Sequence, residues 1–552
     1  MHQPQFAKLV LVSSIALALS ACGSSSSSSS NDDQAGTPSP VNPAAMAAGD
    51  VFVLTASNRL MSFNRDTPAT IRTNVAIAGL QGGDSLLGID MRPADGKLYA
   101  VGSGGRLYTI DTATGAATLK STLSADTTDT SAPYAGLNGT AFGVDFNPVA
   151  DRLRIVSNTG QSLRINVDSG ATTTDGNING GAANTAITAS AYTNSFAGTN
   201  ATTLYGIDGA SGTLYVQNPP NNGTLASPVA LGVPAGSANG FDIDARTNVG
   251  YLTATVGGAR NLYSVNLGAT GSTSAATLVG ALGVNEEIRG LALRAQSATV
   301  LALSDANRLL GFKVATPNTI DSERPVTGLN GDEGLVGIDV RPKDGVLWGL
   351  TSGARLVTID PATGAATVRA TLAADATDAT APYGGLQGTA FAVDFNPVAD
   401  RLRVIGNTGQ SLRINVDTGA TTTDGNINRA AAPAVVSAAA YTNSVPGATA
   451  TQLFDIDSAG GVLALQNPPN DGTLSNVGPL GMTFAGDGGM DIGGGANGLV
   501  LAALRSTGGG ASSLYRVDLT TGAATPVNGA ATPAASVIGG ATGVRDIAIW
   551  LR

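Results

Sequence analysis

The chain has 552 residues, a formal net charge of −10, and only one histidine and one cysteine. That acidic balance argues against nucleic acid or an anionic membrane face as a partner. His2 and Cys22 both precede the globular part, which therefore cannot run a Ser-His-Asp or Cys-His mechanism or build the usual His/Cys zinc, copper or haem site.

In chain order, Lys8 gives a thin positive start and Leu9 to Leu19 form an apolar stretch ending in Leu19-Ser20-Ala21-Cys22. The stretch is too short for a comfortable bilayer span, so residues 1–21 read as a signal peptide. The Leu-x-Ala-Cys string resembles the lipobox of bacterial lipoproteins. That resemblance implies acylation of Cys22, which then anchors the protein to the membrane as its mature N-terminus. Gly23 stands where an Asp would, by the same resemblance, favour inner-membrane retention. A cell-envelope protein of the outer membrane is therefore expected, with the periplasmic or surface face left open. Ser24 to Ser30 open a Ser/Pro-rich tether over residues 22–49.

From Val51 onward the sequence is written twice. Gly88-Ile89-Asp90 returns as Gly337-Ile338-Asp339, and the run 139–179 returns at 388–428 with 36 of 41 residues identical. A gapless internal copy of that length is a duplicated structural unit. The copies are assigned to residues 50–298 and 299–552.

Each copy holds a weaker period of about fifty residues, marked by Gly88-Ile89-Asp90, Gly143-Val144-Asp145, Gly240-Phe241-Asp242 and Gly290-Leu291-Ala292, with a degenerate example at 189–194. In the clearest unit a turn and three strands come next, at Lys97 to Val101, Arg106 to Asp111 and Ala117 to Leu123. Abundant Gly and Thr with period-two alternation argue against helix. The spacing predicts an all-β fold, a β-propeller of about ten four-stranded blades. Gly290 to Arg294 and Val300 to Ser304 read as one blade joined by a hairpin at Ala295 to Thr299. The C-terminal Arg545 to Leu551 would then pair with Val51 to Thr55. On that reading one ten-bladed ring is favoured over two five-bladed rings.

The string Gly-Thr-Ala-Phe-x-Val-Asp-Phe-Asn-Pro-Val-Ala-Asp-Arg-Leu-Arg stands at 139–154 and 388–403. Asn-Thr-Gly-Gln-Ser-Leu-Arg-Ile-Asn-Val-Asp stands after it at 158–168 and 407–417. Together they resemble the bacterial family catalogued as domain of unknown function 4394, over nearly all of both copies. The resemblance implies a fold and a cell-envelope setting; it brings no activity and no site residue.

The first candidate site is a cluster of arginines. If Asn158-Thr159-Gly160 is a hairpin, Arg154 falls opposite Arg164, and Arg152, Arg154, Arg164 and Asn166 share one face. Three guanidinium groups on one face need an anion among them. Asp145 on the preceding strand is the expected internal partner, which would make an Asp-Arg lock between blades. A bound anion or sugar acid is the alternative. Asp394, Arg401, Arg403, Arg413 and Asn415 repeat the set. The second candidate is the loop with Asp126, Asp129 and Tyr134, mirrored by Asp375, Asp378 and Tyr383. It is long enough to be functional and oxygen-rich enough for Ca²⁺, although EF-hand spacing is missing. Its plain alternative is a set of solvated turn-formers.

The functional expectation is a non-catalytic module that binds a ligand, an envelope protein or a carbohydrate, with no catalytic residue, no metal site and no required cofactor assigned. Two alternatives stand beside it: an Asp-dependent, Ca²⁺-assisted enzyme acting on a carbohydrate or lactone, and a structural or adhesive surface protein.

Overall fold

The computed structural model describes residues 47–552 apart from 238, 431, 432, 506, 508, 509 and 530–532. The expected signal peptide, Cys22 and nearly all of the tether lie outside those residues. The described chain is all-β, with short 3₁₀ turns as its only helical segments.

The strands assemble into ten mostly antiparallel sheets, eight of four strands and two of five. The best-predicted unit comes out within a residue of expectation, as Leu86–Met91, Leu98–Gly102, Arg106–Ile110 and Ala117–Thr122 in spatial order. Its tight turn forms because the Asp111 carboxylate accepts the N–H groups of Ala113 and Thr114 at 3.0 and 2.8 Å. Gly115 closes the turn at φ 77°, a backbone region that glycine enters without strain. The fifth strands are short parallel additions, Ser124–Ala125 beside Ala171–Thr174 and Ala373–Ala374 beside Ala420–Thr423.

One end strand of each sheet packs against its counterparts in neighbouring sheets. In the first copy these inner strands are β1 (Leu86–Met91), β2 (Phe142–Asn147), β3 (Ile187–Tyr192), β4 (Gly240–Asp244) and β5 (Ile288–Leu293). In the second they are β6 (Leu335–Val340), β7 (Phe391–Asn396), β8 (Val436–Tyr441), β9 (Gly488–Gly493) and β10 (Val544–Leu551). β1 touches β2, each strand touches the next, and β5 touches β1; β6 to β10 repeat the pattern, with β10 against β6.

This corrects the expected junction. β5 pairs with Val51–Thr55 of its own copy, and β10 pairs with Ala298–Ser304, which opens its own copy one residue before the expected boundary. The segment after β5 is therefore no hairpin. Arg294 N–H still bonds Asp50 of the first copy, and Ser297 N–H already bonds Arg552 of the second. The inner strands thus meet in two sets of five, not in one series of ten. The favoured ten-membered order fails because each copy supplies, from its own C-terminal end, the strand that its first sheet lacks.

The core lies between facing sheets. Tyr99, Val101 and Leu107 of one sheet, for example, pack on Phe142, Val144, Leu153 and Ile155 of the next. The copies also share a core: Phe196 is buried with Val300, Phe312 and Leu499, and Thr199 Oγ1 donates to the Gly498 carbonyl at 2.8 Å.

A chain of residues 47–296 should fold alone, because β5 completes its first sheet. Its far-UV circular dichroism should be that of a folded all-β protein, and it should melt cooperatively, below the full chain because Phe196 loses its cover. A chain stopped before β5 should not fold. An unfolded 47–296 beside a folded full chain would show that the copies do not complete themselves.

Candidate functional site

The hairpin register around the arginine cluster is as expected: Arg154 lies opposite Arg164 and Leu153 opposite Ile165. The anion among the guanidinium groups is not Asp145, however. Asp175 accepts from Arg154 at 2.5 Å and from Arg164 through both oxygens at 2.7 and 2.9 Å. Arg154 is 1% exposed and also reaches the Tyr192 hydroxyl, Ser162 Oγ and Asn221 Oδ1. Because Tyr192 and Asn221 belong to the next sheet, this side chain ties two sheets together. Arg152 turns away to the carbonyl oxygens of Ala150 and Asp151, and Asn166 Oδ1 accepts the Asp168 N–H in a turn. The second copy repeats the arrangement. Arg403 bonds Tyr441, Ser411, Asp424 and Asn470, and Arg413 pairs with Asp424 through both oxygens. Arg401 and Asn415 again serve only local turns.

The acidic loop is docked on its sheet. Asp126 accepts from the Thr128 N–H and hydroxyl, and Asp129 caps the Thr174 N–H at 2.8 Å. Asp375 and Asp378 do the same at Thr377 and Thr423. Backbone donors hold Asp126, Asp129 and Asp375 below the usual carboxylate range. Tyr134 and Tyr383 pack half-buried against the core, where burial pushes their hydroxyls up.

Asp145 instead faces the axis around which β1 to β5 are arranged, and it has company. Asp90 accepts the N–H of Phe146 on β2 at 2.7 Å, Asp145 that of Tyr192 on β3 at 2.9 Å, and Asp242 that of Leu293 on β5 at 2.7 Å. Each carboxylate thereby satisfies a backbone donor that no neighbouring strand pairs. The glycine two residues earlier makes the approach possible: a Cβ on Gly143 would stand 2.5 Å from Ser190 N, and one on Gly240 2.4 Å from Leu291 N. One oxygen each from Asp90, Asp145 and Asp242 lies within 4.8 Å of the others, all buried. At an effective dielectric of about 20, two unit charges at that separation repel by about 3.5 kcal/mol. Burial first, and then the neighbouring carboxylates, hold Asp90 and Asp145 well above the usual range. Burial pushes Asp242 up to about 7. The second copy has the same group in Asp339, Asp394 and Asp491. It adds Asp546, which accepts from Ile338 on β6 at 2.9 Å.

Two further features were missed by sequence reasoning. The mouth of the second axis holds a pocket lined by Val336, Ala390 and Phe391, with Thr389, Ser437, Asp487 and Arg545 as its polar groups. Arg545 donates to the carbonyl oxygens of Leu335 and Asp305, while the Asp305 carboxylate stays 3.6 Å away. The second feature is Asp455, which is wholly buried with both carboxylate oxygens unpartnered. Its counterpart in the first copy is Gly206, paired there with Tyr215, whereas Asp455 pairs with Ala464. Burial pushes Asp455 up to about 8, although the Arg403 charge pulls the other way.

The protein is thus an all-β tandem of four-stranded sheets braced by buried Arg-Asp networks and axial carboxylates. It belongs to the family described as Domain of unknown function (DUF4394), whose model matches residues 59–292 and again 308–541. No curated protein matches the chain. Among solved structures it is similar to the computationally designed Ika8 protein, at 11% identity and a TM-score of 0.21, over 78% of this chain and 98% of that one. It is also similar to the extracellular domain of the hybrid two-component system BT4673 from B. thetaiotaomicron, at 12% and 0.23, over 86% and 70%. A third is the WD40 β-propeller domain of Doa1, at 11% and 0.21, over 59% and 92%.

Replacing Arg154 by Ala strands Asp175, which is 4% exposed, without its deepest partner. Loss of about 3–5 kcal/mol is expected in denaturant unfolding, and Arg164→Ala, at the exposed edge, should cost less. An equal or smaller loss at Arg154 would exclude its role as the brace.

Asp455 gives a pH signature. Its folded-state pKa of about 8 lies above the ordinary aspartate value of 3.8. Stability is therefore fully present below pH 4 and is lost as pH rises through 8, by about 1.4 kcal/mol per unit for this group. Asp455→Asn should flatten the fall in Tm between pH 4 and pH 8. An unchanged slope would place its ionisation elsewhere.

Proposed function

We propose that the protein is a non-catalytic binding module of the cell envelope. In this reading each set of five sheets is a five-bladed β-propeller, and a lipid on Cys22 tethers the pair to the outer membrane. The ligand is a small polar molecule carrying an anionic group, such as a sugar acid, held at the mouth of the second propeller.

The observation that carries this reading is the pocket at that mouth. It combines an apolar wall with a few convergent polar groups, the make-up of a small-ligand site. Arg545 supplies an exposed guanidinium anchored by carbonyl oxygens and only loosely paired with Asp305, at 3.6 Å. Such a group favours a carboxylate-bearing ligand. Phe391 offers an apolar surface beside it. A catalytic reading has less support, because the axial carboxylates are buried and engaged with backbone donors.

Glucuronate titrated into the mature chain and followed by ligand-observed NMR should show saturable binding. Arg545→Gln should weaken it by about ten- to a hundredfold, the usual worth of a hydrogen bond to a charged group. Arg289→Gln, at the corresponding place in the first copy, should leave it unchanged. Equal binding by Arg545→Gln and the parent would remove this pocket as the site.

A further inference from the structure

We propose that the groove between the two copies binds a small organic monocarboxylate with an apolar body, its carboxylate on Arg516. The groove is open, holds about 400 Å³ and takes its lining from both copies. That volume lies within the range of small-ligand sites, about 300–1,000 Å³. Asn200 and Ala201, on the loop after β3, form the first-copy side, and Val500, Arg516, Leu519 and Ala523 form most of the other. The two sides are fixed to each other, because Thr199 Oγ1 and the Asn200 N–H both donate to the Gly498 carbonyl, at 2.8 and 2.9 Å.

Arg516 decides the class of occupant. Among the described residues, the four buried arginines each hold a carboxylate: Arg92 has Asp151, Arg154 has Asp175, Arg341 has Asp400 and Arg403 has Asp424. Arg516 is half-buried, and among the described residues no carboxylate pairs with it. Its Nη2 donates to the Gly198 carbonyl at 2.6 Å, and its Nη1 is buried without an acceptor. Burial therefore pulls this guanidinium below its ordinary pKa, with no neighbouring negative charge to offset the effect. An anion in the groove beside it supplies that charge, and a carboxylate matches the guanidinium fork.

The cation stands only where the copies meet. Tyr263-Ser264-Val265 of the first copy corresponds to Tyr515-Arg516-Val517 of the second. Ser264 lies opposite Tyr251 and Arg516 opposite Leu501, the residues paired with Asp242 and Asp491 on the inner strands.

The rest of the groove sets the body of the ligand. Val500, Leu519, Ala201 and Ala523 give it apolar walls. Asp518 lines the same groove. The N–H groups of Thr520 and Thr521, at 2.8 and 3.0 Å, hold its carboxyl below the usual range, so a second negative charge on the ligand is repelled.

The test uses the mature chain and benzoate, followed by ligand-observed NMR. Saturable binding with a Kd in the millimolar range is expected for so small a ligand. Phthalate, with its second carboxylate, should bind no more tightly. Arg516→Gln should weaken benzoate by about tenfold or more. Arg545→Gln, which alters the other pocket and not this groove, should leave benzoate unchanged. Ala201→Trp fills the groove from the first copy while keeping Arg516, and should abolish binding with the far-UV circular dichroism of the parent. It carries the decision if Arg516→Gln does not fold. No saturable binding by the parent would overturn the proposal, as would benzoate bound undiminished by Arg516→Gln or Ala201→Trp, or lost with Arg545→Gln. Tighter binding of phthalate would overturn the assignment to a monoanion.

Discussion

The fold depends on how inner strands without a pairing partner on their axial side satisfy their backbone. A strand edge with free N–H groups is a template for unwanted pairing and is costly to bury. Here a side chain stands in for the missing strand. Asp90, Asp145 and Asp242 each reach across to an N–H of a neighbouring inner strand, and the residue two positions earlier is glycine because a Cβ there would meet the neighbour's backbone or side chain. The Gly-x-Asp string is thus one device with two parts, close approach and a cap. Its cost is a set of like charges in a buried site, visible in the upward shift of every one of these carboxyls. Protons or a cation must offset that charge.

Much of this was legible in the residues. The duplication, the four-stranded unit and the Arg154–Arg164 register came from spacing and alternation, since a period of two fixes which side chains share a face. Two things were not. The pairing of β5 with Val51–Thr55 is a contact across more than two hundred residues, and local patterning cannot distinguish it from a hairpin onto the nearby Val300 to Ser304. Asp145 was read as the partner of Arg154 because both occupy paired positions on adjacent strands. The side chains diverge: one caps the Tyr192 N–H of the next inner strand, the other reaches Asp175. That residue sits just past its strand within the repeated Thr-Thr-Thr-Asp-Gly-Asn string, so the signal was present but lay in a turn.

The two copies keep their braces and differ at the axis and beside it. Arg92 binds Asp151 through two bonds, and Arg341 binds Asp400 in the same way; the Arg154 and Arg403 networks match bond for bond. On the last inner strand of the second copy stands Asp546, which puts a fourth carboxyl on that axis. Gly206 becomes Asp455 where Tyr215 becomes Ala464, exchanging a packed ring for a buried acid. Substitution has been tolerated where it changes what an interior surface offers and not where it would unlock two sheets. Duplication explains that pattern physically. One frame, fixed by the same Arg-Asp ties in each half, leaves two axes whose chemistry differs, at Asp546 on the axis and at the buried Asp455 beside it.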